Sequence, residues 1–141
     1  MSAASDWLEG QIRAHIWRTA TYTKPTVAAF ALATASTTDA QTGATLTEVA
    51  DASAYARVDR PPLDANWTAA SATDGLTDNV AAITFPTATG AWGTVTHVMV
   101  CDSETWGAGN SVVHGALAAS KVVGDGDVFQ FSAGAFDVTI A

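Results

Sequence analysis

A chain of 141 residues is the size of one domain, long enough to bury roughly 68% of the surface that its unfolded form exposes. Fourteen acidic against six basic side chains give a formal net charge of −8, and the repulsion this sets up against phosphate backbones argues against a nucleic-acid partner. The single cysteine, Cys101, has no partner for a disulfide. No run approaches the ~18 apolar residues of a membrane helix, and no secretion signal is read at the N-terminus, so neither a membrane partner nor export is expected.

The first element expected is a helix over residues 6–18, with Asp6 as N-cap and Glu9, three positions on, closing a capping box. Leu8, Ile12 and Ile16 recur on one face and Trp7 and Trp17 widen it, although Gly10 costs ~1 kcal/mol against alanine. Arg13, Arg18 and Lys24 are the only charged residues from position 10 to 24, so that stretch carries +3, and −8 less +3 leaves −11 on the remainder. A basic, tryptophan-bearing tip on an acidic body suits docking on an acidic neighbour, including another copy of the chain. The expected interface residues are therefore Trp7, Leu8, Ile12, Arg13, Ile16, Trp17 and Arg18. The same pattern also fits a helix that packs on its own domain.

Residues 19–25 form a connector ending in Lys24-Pro25, a pair biased away from helix. Residues 26–35 read as a strand and 36–47 as a polar surface loop tolerant of change. Tyr55, Arg57 and Asp59 alternate with Ala56, Val58 and Arg60, an edge strand that Pro61-Pro62 terminates. Residues 63–78 make a long loop anchored by Trp67 and Leu76, of a length that is usually functional or ordered by a partner.

From position 79 onward strand signals follow one another closely. Ile83 and Phe85 alternate with Ala82 and Thr84, and Phe136, Val138 and Ile140 with Asp137 and Thr139. Residues 95–101 are apolar on both faces, with Val95, Met99 and Cys101 on one and Val98 and Val100 on the other, which predicts a central strand. Turns are marked by Pro86, Gly90 and Gly93, by Gly107, Gly109 and Asn110, by Gly124 to Asp127, and by Ala133-Gly134. The expected fold is mainly β, an antiparallel β-sandwich or jelly-roll-like domain over residues 26–141, with an N-terminal α-helix and connector over residues 1–25 as attachment segment. Phe85, Val98, Val100, Phe131, Phe136, Val138 and Ile140 are its expected core.

No catalytic constellation emerges. His97 and Cys101 share a strand face, yet four residues of strand separate their Cα atoms by ~13 Å, beyond hydrogen-bond reach. A hairpin of residues 95–101 and 111–117 would bring His97 and His114 near each other, but two histidines do not make a structural zinc site, and Asp102 and Glu104 lie in the loop rather than at ligand spacing. The acidic turn at Asp125 and Asp127 lacks the remaining ligands of a calcium loop, and the glycine-rich residues 106–111 lead into no helix that could cradle phosphate. No metal or cofactor is expected.

The order of short motifs carries a resemblance: TATYTKP after the helix, EVADASAYAR, NVAAITFPTATGAWGTVTHV, HGALAASKVV and GDVFQFSAG. Its most specific parts are Tyr55-Ala56-Arg57, Ile83-Thr84-Phe85-Pro86 and the run from Trp92 to His97. Over most of its length the chain resembles a family of small virion proteins of tailed bacteriophages, known as tail fibre proteins and similar to head decoration or cement proteins. The resemblance implies a non-enzymatic structural protein of the virion, without cofactor or active site. The chain lacks the coiled coils and collagen-like spacers of elongated fibres. A compact block with an apolar, basic helix fits a capsid decoration or cement protein docked on the major capsid protein, with sibling copies meeting as a homo-oligomer such as a trimer. The alternatives are a tail or tail-fibre component, and an adhesion module that binds host-surface glycans through Trp67, Trp92 and Trp106.

Overall fold

The computed structural model describes residues 3–70, 73 and 75–140. Its main sheet holds five antiparallel strands in the spatial order Ala3–Ala4 (β1), Ser111–Val123 (β7), Gly93–Cys101 (β6), Ala29–Ala33 (β2) and Val58–Asp59 (β3). The expected hairpin forms between β6 and β7, and β6 is the central strand. Small and large side chains alternate along β2, so that Phe30 and Leu32 enter the main core with Val98, Val100 and Val113, while Ala31 sits on the other face with Met99 and Cys101. Val95 was expected beside Met99 and Cys101 but joins Val98 and Val100. Between the pairs His97–Ala116 and Val95–Lys121 one residue of β6 faces four of β7, and this bulge reverses the side to which Val95 points.

The second layer is a ribbon in two pieces. Thr77–Asp78 (β4) pairs with Asp137–Val138 (β9), and Ile83–Thr84 (β5) pairs with Gln130–Phe131 (β8). Between the pieces lies Asn79, which is buried: its amide group donates to the carbonyls of Ala81 (2.9 Å) and Ser132 (2.8 Å), and its side-chain oxygen accepts the Phe136 N–H (2.9 Å). These bonds replace the missing ladder and satisfy backbone groups at the break. An aromatic chain joins the layers. Phe30 packs edge-on against Phe136 at 4.7 Å and stacks with Trp67 at 6.2 Å, and further contacts run through Phe131, Phe129, Phe85 and Tyr55 to Trp92.

Of the expected core, Phe85, Val98, Val100 and Phe136 are buried and Phe131 and Val138 are half-buried against it. Ile140 is not in the core but 61% exposed, because β9 ends at Val138 and no ladder carries the alternation further. The edge strand expected over residues 54–60 shrinks to β3. Ser53 and Ala54 adopt left-handed backbone angles (φ 54° and 60°), and after this turn Tyr55 and Arg57 point inward with Ala56 exposed between them, as the alternation predicts, but only Val58 and Asp59 pair with a neighbouring strand.

The helix, Asp6–Trp17 (α1), is capped by Ser5 and not by Asp6. The Ser5 hydroxyl accepts the Leu8 N–H at 3.2 Å and donates to the Ser111 carbonyl on β7. Pairing of β1 with β7 fixes this geometry, since the Ser5 N–H reaches the Val112 carbonyl at 3.1 Å. Glu9, freed from any capping box, pairs with Arg13 at 3.0 Å one turn along.

Candidate functional site

Burial falls away along α1. Leu8 is in the core, Trp7 and Ile12 pack against its margin, and Ile16 and Trp17 are 60% and 82% exposed. The face shared by Leu8, Ile12 and Ile16 therefore starts inside the domain and ends in solvent. Trp7 meets Tyr22 edge-on at 6.3 Å, which holds the returning connector against the root of the helix. Of the seven residues expected at an interface, Leu8 is enclosed by its own domain, Arg13 is paired with Glu9, and Ile16, Trp17 and Arg18 are all exposed at the far end.

Charge singles out the same end. Among the six basic side chains, Arg13 and Arg57 pair with carboxylates, and Lys24, Arg60 and Lys121 donate to the carbonyls of Pro62, Ala82 and Val128. Arg18 alone has no side-chain partner among the described residues. The tryptophans divide likewise: Trp67, Trp92 and Trp106 donate their indole N–H groups to the carbonyls of Arg60 and Pro61, of Ser53 and of Val49, and Trp7 has Tyr22, whereas Trp17 has neither bond nor ring contact. An exposed indole next to an unpaired guanidinium has the composition of an interface hot spot.

Beside the root of α1 lies an apolar cleft of about 610 Å³. Leu8, Val100, Val112, Trp67 and Val138 are among its walls, and the exposed Leu63 and Ile140 form its lips next to Asp64. From the segment expected as a loop, Leu63, Asp64, Trp67, Thr68, Ala69 and Thr77 line it, the last of them in β4; positions 71, 72 and 74 lie outside the described residues.

The one buried ion pair among the described residues was not anticipated. Arg57 meets Glu48 at 2.8 Å through Nε and 2.7 Å through Nη2, and its Nη1 donates to the carbonyls of Ser103 and Ala108, both at 2.8 Å. Tyr55 donates to Glu48 at 2.8 Å and accepts the Leu32 N–H at 2.9 Å, and burial followed by the Glu48 charge raises its pKa well above the ordinary value. This network binds three loops to the sheet. The readable signal was Tyr55-x-Arg57, whose spacing suited a strand equally well.

The two histidines are diagonal neighbours across the β6–β7 ladder, but each hydrogen-bonds elsewhere. His97 is opposite Ala116 and His114 opposite Met99; the first hydrogen-bonds Thr96 and the second Thr37 and Asp39. Burial pushes the Cys101 thiol up to about 11, with Arg57 pulling the other way, so it is protonated and closed to attack at neutral pH. Among the described residues no three His, Cys, Asp or Glu side chains gather as a metal site would require. The three tryptophans considered for a glycan platform also part company: Trp92 is buried, Trp67 stacks on Phe30, and Trp106 stays 45% exposed. A family model described as Podophage GP4 fiber I protein gp80 matches residues 3–139. No curated protein matches the chain.

Proposed function

The chain belongs to the podophage GP4 fiber I protein gp80 family, and from that membership we propose that this phage structural protein is a non-enzymatic subunit of the tail-fibre assembly, joined to a neighbouring virion subunit through Ile16, Trp17 and Arg18. The observation that carries the attachment reading is the exposed helix end, where the one tryptophan and the one basic side chain without partners in the described fold follow each other in the chain. The indole supplies affinity on desolvation, and the guanidinium sets orientation and on-rate against an acidic surface. The family description favours a fibre over the capsid decoration role expected from the compact sequence. Major capsid protein as partner belongs to that other reading.

Location and copy number test it. Virions carrying an epitope-tagged chain should label at the tail, with a handful of copies per particle. Label spread over the head at hundreds of copies would replace the fibre reading with capsid decoration.

A further inference from the structure

We propose that the neighbour is a second copy of this chain, and that the helix end of one copy inserts Trp17 and Ile16 into the apolar cleft of the next, with Arg18 meeting Asp64 at its lip. This rests on the reading of the chain as a structural subunit and adds the receiving surface. Within one chain the two halves do not meet. Leu8 lines the cleft, and Trp17 follows nine residues later along α1, about 13.5 Å away along the helix axis at 1.5 Å per residue. No α1 residue beyond Leu8 reaches the cleft wall.

Size and charge both fit. A cleft of about 610 Å³ accommodates an indole together with an isoleucine side chain, and its walls are mainly aliphatic or aromatic. Leu63 and Ile140 at the lips are 58% and 61% exposed, so the cleft and the helix end are two separate apolar surfaces on one molecule, both open to solvent. The Asp64 carboxylate is without a partner among the described residues, as Arg18 is, and the two carry opposite charges. The body outside residues 10–24 holds −11 of formal charge against +3 within them. Contact between different patches of identical chains is head-to-tail, and it closes into a ring or extends as a filament according to the rotation that each contact imposes.

The experiment uses the purified full chain in sedimentation and mass photometry, with Trp17→Ala and Leu63→Asp as variants. Both positions are exposed, so the circular dichroism spectrum and melting temperature of each variant should match those of the parent. The parent should associate with increasing concentration, and each variant should associate about tenfold or more weakly. Mixed one to one, the two variants should form a heterodimer, since one retains the cleft and the other the helix end. Arg18→Asp and Asp64→Arg should each weaken association, more at low salt than at high salt, and restore it when combined. A parent that stays monomeric, association that survives both Trp17→Ala and Leu63→Asp, or variants that fail to complement would overturn the proposal. A parent that stays monomeric but is found on tails would sink this contact and leave the fibre reading intact. Head-to-tail association of a protein found on heads would do the reverse.

Discussion

Arg57 shows how much of this fold hangs on single polar side chains. It is buried, paired with Glu48, and donates to two loop carbonyls, so removing one member leaves the other charged and unpaired in the interior. Glu48→Ala and Arg57→Leu should each cost about 3–5 kcal/mol in urea unfolding, and the double variant should lose less than the sum of the two. Additivity would mean that the pair is not coupled. Cys101 and Tyr55 make a pH prediction. Both hold their protons more tightly in the folded chain than in the unfolded one, Cys101 with its pKa raised from 9.0 to about 11 by burial, and Tyr55 raised from 10.0 chiefly by burial. The stability linked to Cys101 is complete below about pH 9 and is lost as pH rises towards 11, and that linked to Tyr55 begins to fall only above about pH 10. The melting temperature should be level up to pH 9 and fall beyond it, with a shallower fall in Cys101→Ala; a level profile to pH 11 would contradict the assignment.

At the scale of elements, loops and caps do work that the strands do not. The loop over residues 36–47, expected to tolerate change, has at Gly43 a site without room for a side chain, because a Cβ there would overlap the Ala108 carbonyl and crowd Arg57. Gly43→Ala should lower stability by about 1–3 kcal/mol, the usual cost of overpacking, whereas substitutions at the exposed Ser36 should be nearly silent. Equal melting temperatures for Gly43→Ala and the parent would show that the loops can separate freely. Ser5 has two duties, capping α1 and bonding β7, so Ser5→Ala should cost about 1 kcal/mol or more in thermal unfolding.

For the whole molecule, the question is what the N-terminal segment does for the rest. Ala4 and Leu8 are core residues and β1 adds a fifth strand beside β7, while the helix end only meets solvent. Deleting residues up to Arg18 should therefore strip the cover from Val113 and lower the melting temperature by many degrees, unlike Trp17→Ala, which should leave it unchanged. A truncated chain as stable as the parent would mean that the segment is purely an attachment arm. The segment over residues 1–25 is proposed to serve both ends: Ala4 and Leu8 complete the domain, and Ile16, Trp17 and Arg18 attach it.

The sequence by itself determined the features that depend on local pattern. The two-sided apolar run of residues 95–101 named the central strand, Gly124 to Asp127 named a turn that Asp127 indeed closes on the Gly124 N–H, and the short motifs in order pointed to a phage family. Local pattern also found the helix, since the spacing of Leu8, Ile12 and Ile16 follows from 3.6 residues per turn. Only the tertiary structure decided which of these apolar residues are buried. Nothing in the spacing says how far a helix runs along its support, and so Leu8 and Ile16, equivalent by period, end in core and solvent. The Glu48–Arg57 pair, the bond from Ser5 to the Ser111 carbonyl and the cleft beside Leu63 were illegible because their partners are chosen by packing rather than by periodicity: the pair closes across a turn of nine residues, and the other two join segments distant in the chain.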